Sequence, residues 1–119
     1  MHGPVRVLLL GLLVSAAIAC VAARNLVADR DLVCRETPDD VCIRVAELAL
    51  TRLEPAIAQE EPKRGRIPTI QVYPVPCTAE ELGVPVPNAT RCWMVEATNE
   101  SGGVGVNVLE NRNGSLLVP

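Results

Sequence analysis

The sequence predicts an α+β domain: one N-terminal helix packed on a three- to four-stranded antiparallel meander, held by disulfides. Three observations lead there. An apolar stripe with helical spacing runs from Val41 to Leu53, three β-rich segments separated by turn residues follow it, and four cysteines are spread over the same region. Helix followed by hairpins is the order of a domain in which the helix stripe covers one face of a sheet.

Thr37-Pro38-Asp39-Asp40 has the marks of a helix start. Pro suits the first turn, acids suit the positive end of the helix dipole, and Thr-x-x-Asp is spaced as a capping box. Val41, Val45, Leu48 and Arg52 fall on one line of the helix and Cys42, Ala46, Ala49 and Leu53 on the next, which leaves about 100° of apolar surface. Arg44, Glu47, Arg52 and Glu54 ride outside. Pro55 predicts an end or a kink, with Ala56-Ile57-Ala58 able to add a displaced turn, and Gln59 to Arg66 reads as a polar loop.

Ile67 to Cys77 is rich in β-branched residues, and Pro74 and Pro76 predict an edge strand because neither can donate a ladder hydrogen bond. Cys92 to Thr98 is a second strand and Val104 to Glu110 a third. Ser115 to Val118 makes a short fourth. The turns between them, Asn99 to Gly103 and Asn111 to Gly114, carry hairpin residues.

The full chain has 119 residues, 49% of them hydrophobic, and a formal net charge of −3. Phe is absent, and Trp93 and Tyr73 are the only Trp and Tyr, so the core must be aliphatic. A single small domain follows from this length, near the size at which covalent support matters. A net acidic chain with two aromatic residues lacks the basic footprint and stacking platforms of a nucleic-acid binder, so no nucleic-acid partner is expected.

Residues 5–23 are almost continuously apolar, with Arg6 before the Leu-rich centre and small residues toward the end, the layout of an export signal. Ala16-Ala17-Ile18-Ala19-Cys20 resembles a bacterial lipobox, which implies cleavage after residue 19 and acylation of the Cys20 thiol. Val21-Ala22-Ala23 offers an ordinary cleavage site that would release a secreted protein starting at Arg24. An uncleaved anchor is the third reading, since the 17 residues from Val7 to Ala23 span about 25 Å as a helix. The expected organisation is therefore a leader over 1–19 (or an anchor to 23), a tether over 20–36, and the α+β domain over 37–119. The membrane, reached through a lipid or the N-terminal helix, and a protein of the cell envelope are the partners this organisation predicts.

Five cysteines are odd for an exported chain, and Cys20 as the lipidated or discarded one leaves an even set. Cys34, Cys42, Cys77 and Cys92 then read as two disulfides. Three pairings are formally possible. Cys77 with Cys92 is favoured because the two bracket the loop Thr78 to Arg91 between strands, and Cys34 with Cys42 follows by elimination. A metal site is not expected, because no Cys-x-x-Cys pair occurs among the four.

Trp93-x-Val95-x-Ala97, a glycine-bearing turn, Val104-x-Val106-x-Val108 and Asn113-Gly114-Ser115-Leu116 together resemble the C-terminal half of a PepSY-type domain. Those are small exported α+β modules associated with the restraint of peptidases, and the resemblance covers about 75 residues with the helix included. A cystatin-like module fits nearly as well. Either resemblance implies a helix on a sheet and a peptidase-directed binding role.

The one histidine, His2, lies in the leader, so no Ser-His-Asp or Cys-His arrangement can be built in the exported part. Asp39-Asp40, Glu60-Glu61 and Glu80-Glu81 are sequence neighbours, whereas acid/base catalysis needs carboxylates that converge in a pocket. Neither a catalytic residue nor a cofactor is predicted. Lys63-Arg64-Gly65-Arg66 is a basic cluster suited to an acidic partner or a solvated loop. Trp93 suits either an exposed contact or packing beside a disulfide. Three Asn-x-Ser/Thr triplets, at Asn88, Asn99 and Asn113, fall in expected turns and matter only in a glycosylating source. The sequence thus predicts an exported, lipid-anchored envelope protein with a binding or structural role, whose partner surface is the loop Thr78 to Arg91.

Overall fold

The computed structural model describes residues 29–119. The leader, Cys20 and most of the expected tether lie outside the described residues. The rest folds as β1 (Asp31–Cys34), α1 (Asp39–Arg64), β2 (Thr69–Val75), α2 (Ala79–Leu82), β3 (Ala89–Asn99), β4 (Gly102–Asn111) and β5 (Leu116–Leu117). The class is α+β, as expected, but the sheet is mixed and has five strands in the order β1-β2-β3-β4-β5.

The correction lies at β1. Asp31 to Cys34, read from sequence as tether, pairs parallel with β2, Leu32 against Ile70 and Cys34 against Val72. Four residues, one of them charged, carry too little pattern to announce a strand, and it is the partner that makes one. A parallel neighbour needs a crossover, and α1 supplies it. Between β1 and α1 the chain turns at Glu36, whose φ is +50°. The Cys34–Cys42 disulfide closes that corner.

β2 is consequently an inner strand rather than an edge, and yet its prolines obey the edge rule. Asp31 N–H donates to Pro68 O and Arg35 N–H to Val72 O, so the even-numbered backbone groups of β2 face β1. β1 pairs no further than Val72. The nitrogen of Pro74 therefore faces a gap where no ladder donor is required.

α1 continues through both Pro55 and Pro62 to Arg64, where the sequence predicted an end or kink at Pro55 and a loop from Gln59. Each interior proline costs about 3 kcal/mol, and packing on either side offsets it. Pro55 is exposed while Leu53 and Ile57, which flank it, are each 1% exposed. The far end is held by Ile67 N–H donating to Glu61 Oε2 at 3.2 Å and by Asn99 Nδ2 donating to Arg64 O at 2.9 Å. At the near end the capping box does not form. Pro38 is the N-cap and makes no side-chain cap, while Thr37 Oγ1 donates to Arg35 O at 2.8 Å.

Cys42, Val45, Ala46, Ala49, Leu50, Leu53 and Ile57 of α1 pack on Ile70, Val72, Trp93, Val95, Ala97 and Val108 of the sheet. These sheet residues share one face, because cross-strand partners do: Val72, Val95 and Val106 stand in one row. The opposite face carries a separate small cluster, Leu82, Cys92 and Leu109. Cys92 and Trp93 are neighbours in sequence and so point to opposite faces. Among the described residues no helix is long and apolar enough to cross a membrane.

Candidate binding surface

The Cys77–Cys92 disulfide spans the base of the loop after β2 with a Cα–Cα distance of 5.4 Å. The favoured bridge thus forms, and so does Cys34–Cys42, which was expected by elimination. What sequence read as loop from Thr78 onward opens with α2, a single helical turn. Thr78 Oγ1 accepts from Glu81 N–H at 3.1 Å at its start. At its end Gly83, in the left-handed conformation at φ +76°, donates to Ala79 O at 2.8 Å. That closed turn drives Leu82 into the sheet, where it is 8% exposed beside Cys92 and Leu109. Pro85-Val86-Pro87 then leads into β3, with Ala89 N–H donating to Val86 O at 3.2 Å.

The loop is therefore fixed at its base by a covalent bond, at its middle by one buried leucine, and along its return by two prolines. Outward it presents Val84, 39% exposed, and nearby Leu117 of β5 is 49% exposed. A shallow depression of about 190 Å³ between loop and β5 is lined by Pro85, Val86, Pro87, Leu109 and Leu117 among others. Glu80 and Glu81 are exposed on α2. Such a site can offer apolar contact at low ordering cost.

Trp93 is 3% exposed and belongs to the core under α1, which settles its role as packing. The Arg91 guanidinium lies 5.2 Å from its ring centroid and makes two hydrogen bonds of 2.8 Å to Glu110, directly opposite on β4. That bidentate contact lowers the Glu110 pKa and raises that of Arg91.

The basic cluster does not stand free. Arg64 pairs with Glu60 at 3.0 Å, and Arg66 donates to Asp29 O at 3.3 Å. The two arginines line an open depression of about 720 Å³ together with Thr69, Gln71, Thr98 and Ser101. Asn99 is engaged as well, its Nδ2 donating to the carbonyls of Arg64 and Arg66.

The carboxylate pairs stand apart, two at opposite ends of α1 and Glu80-Glu81 on α2. Asp39 and Asp40 are exposed at the start of α1, Glu60 and Glu61 hold its end, and Glu96 sits on the uncovered face of the sheet. Glu96 accepts from the Tyr73 hydroxyl at 2.6 Å. This hydrogen bond, aided by burial and the nearby negative charge, pushes the Tyr73 pKa up to about 12. Sequence reasoning did not pair the two, because the contact is diagonal: Tyr73 stands opposite Met94, and Glu96 opposite Gln71. Only the register between β2 and β3 shows Tyr73 and Glu96 to be neighbours.

Among the described residues no group of three or more His, Cys, Asp or Glu side chains is placed to hold a metal ion. Two disulfide bonds fit an oxidising, extracytoplasmic location. Comparison with family models, with curated proteins and with solved structures found no match for the chain.

Proposed function

We propose that this chain is an exported binding module of the cell envelope, non-catalytic and anchored by lipid at Cys20, that recognises a protein partner through the loop after Cys77. The observation that supports it is the fixation of that loop. A disulfide, a capped helical turn and a buried Leu82 hold a segment that exposes Val84 and whose two prolines share a depression with Leu117 of β5. Rigid apolar contacts bind with less loss of entropy than mobile ones.

A photo-crosslinking residue at Val84, with one at the exposed Thr51 on α1 as control, tests the loop in the producing cell. A discrete adduct from position 84 and none from 51 is expected; no adduct from 84 refutes the loop. Intact mass of the same protein tests the anchor. A diacyl or triacyl adduct beginning at Cys20 is expected, whereas a mass beginning at Arg24, or a full-length mass, removes it.

A second reading, modulation of an envelope peptidase, draws on the PepSY-like and cystatin-like resemblance and on the order of one helix followed by the β2-β3-β4 meander. Titration against envelope peptidases decides it, and unchanged activity at micromolar excess excludes it.

A further inference from the structure

The two edges of the sheet are built differently. β1 presents four residues, begins at Asp31 and is followed by Arg35 and Glu36. Short length and charge are the usual protection of an edge against pairing with other chains. β4 has ten residues, and β5 pairs with it only at Leu109 and Glu110. From Gly102 to Val108 no described strand lies beyond it.

The main-chain groups on that free stretch can be assigned. Asn111 N–H donates to Ser115 O on the β5 side, so the odd-numbered residues of β4 turn their N–H and C=O outward while the even-numbered ones bond β3. The open groups thus belong to Gly103, Gly105 and Asn107. Both glycines are exposed, and the Asn107 side chain folds back to donate to Trp93 O at 3.4 Å, leaving its main chain clear. Gly103 has an internal reason to be glycine, since a Cβ there would collide with Ala97 O. The absence of protection has none: Gly102 to Leu109 contains no charged residue and no proline.

We propose that this edge is the interface of a twofold dimer, in which β4 pairs antiparallel with β4 of a second copy about Gly105. Self-pairing explains the sequence in a way an unrelated strand would not. Near a dyad each residue meets itself or a close neighbour, so any charge there would face its own kind; Gly102 to Leu109 is neutral throughout. With the axis at Gly105, that glycine exchanges both hydrogen bonds with its copy, and Gly103 exchanges them with Asn107. Val104 then stands opposite Val106 on the helix side. Both valines are only half-buried in the single chain although they pack against the core, so pairing extends that core across the axis. The interface lies on β4, apart from the loop after Cys77, and stands whether or not that loop binds a partner.

The test uses the protein as its cell processes it, in mild detergent where it carries an anchor. Light scattering gives its mass, and amide exchange followed by NMR reads the edge. A doubled mass is expected, with the amides of Gly103, Gly105 and Asn107 protected and losing protection on dilution. Asn107→Pro removes an outward donor and the side-chain bond to Trp93 O but no main-chain bond to β3, and it is expected to give a monomer. Gly105→Lys keeps the falsification open if the proline variant fails to fold. It stands opposite Glu96 in the same chain, and its Cβ lies 3.2 Å from Met94 Sδ and Val95 O, so small shifts accommodate it; across the axis the lysine meets its own copy, so it too is expected to halve the mass. A monomer at all concentrations with fast-exchanging edge amides overturns the proposal. So does protection of those amides in a monomer, or a dimer that survives Gly105→Lys with the edge amides exposed.

Discussion

The two faces of the sheet are held in different ways. Beneath α1, fourteen buried residues form one continuous cluster, and the Cys34–Cys42 bridge joins elements that this cluster already presses together. On the other face three buried residues, Leu82, Cys92 and Leu109, anchor a long loop, and one of the three is itself half of the bridge. Loop-closure entropy hardly separates the two bridges, since closing 8 or 15 residues is worth about 2.5 or about 3 kcal/mol. Local packing does separate them. Covalent support matters most where the apolar area is too small to order the chain unaided.

Substitutions at three places probe that contrast, and the largest effect belongs to the helix face. Leu50→Ala removes a side chain with no exposed surface at the centre of the larger cluster. A loss of about 4 kcal/mol is expected in urea unfolding, shared by every probe in the molecule. If the loop around α2 unfolded alone in this variant, the two faces would not be linked as described.

Replacing the second bridge by Cys77→Ala with Cys92→Ala is expected to cost about 3 kcal/mol but to act unevenly. Amides from Ala79 to Ala89 should exchange quickly while those of Ile70 and Val95 keep their protection up to the global limit. Uniform loss of protection would mean that the bridge supports the whole sheet rather than one loop.

The smallest effect is on the uncovered face. Tyr73 is the single tyrosine, so absorbance titration reads it alone, and a midpoint of about 12 is expected against an ordinary value of 10.0. Because the folded value is raised, the contribution of the hydrogen bond to stability is whole below pH 10 and is lost as the pH rises from 10 to about 12. Tyr73→Phe should remove that part of the alkaline loss. Glu96→Gln should bring the midpoint down toward 10, and an unchanged midpoint would show that burial, not Glu96, sets it.

Several of these features could be read in the sequence because they depend on local chemistry. The buried face of α1 follows from apolar spacing, the β3-β4 hairpin from alternation around Asn99 to Gly103, and the cysteine pairing from the way Cys77 and Cys92 bracket a loop. The candidate loop was legible for the same reason, although its helical turn was not: Ala79 to Leu82 is too short to show a period. Pro55 misled because a breaker acts locally, while its cost is offset by Leu53 and Ile57 packing on distant strands. The Tyr73–Glu96 and Arg91–Glu110 contacts needed the register of neighbouring strands.

The amino-acid sequence by itself determined the class of the domain, the helix stripe and the hairpins, and it favoured the two bridges that form, since each rests on residues near one another along the chain. Only the tertiary structure decided that Asp31 to Cys34 is a strand, that β2 is interior and that β4 keeps an open edge. Whether a segment is a strand, an edge or a tether depends on which backbone lies beside it. A main chain's hydrogen-bonding partner is chosen by packing across the fold, and no local pattern records that choice.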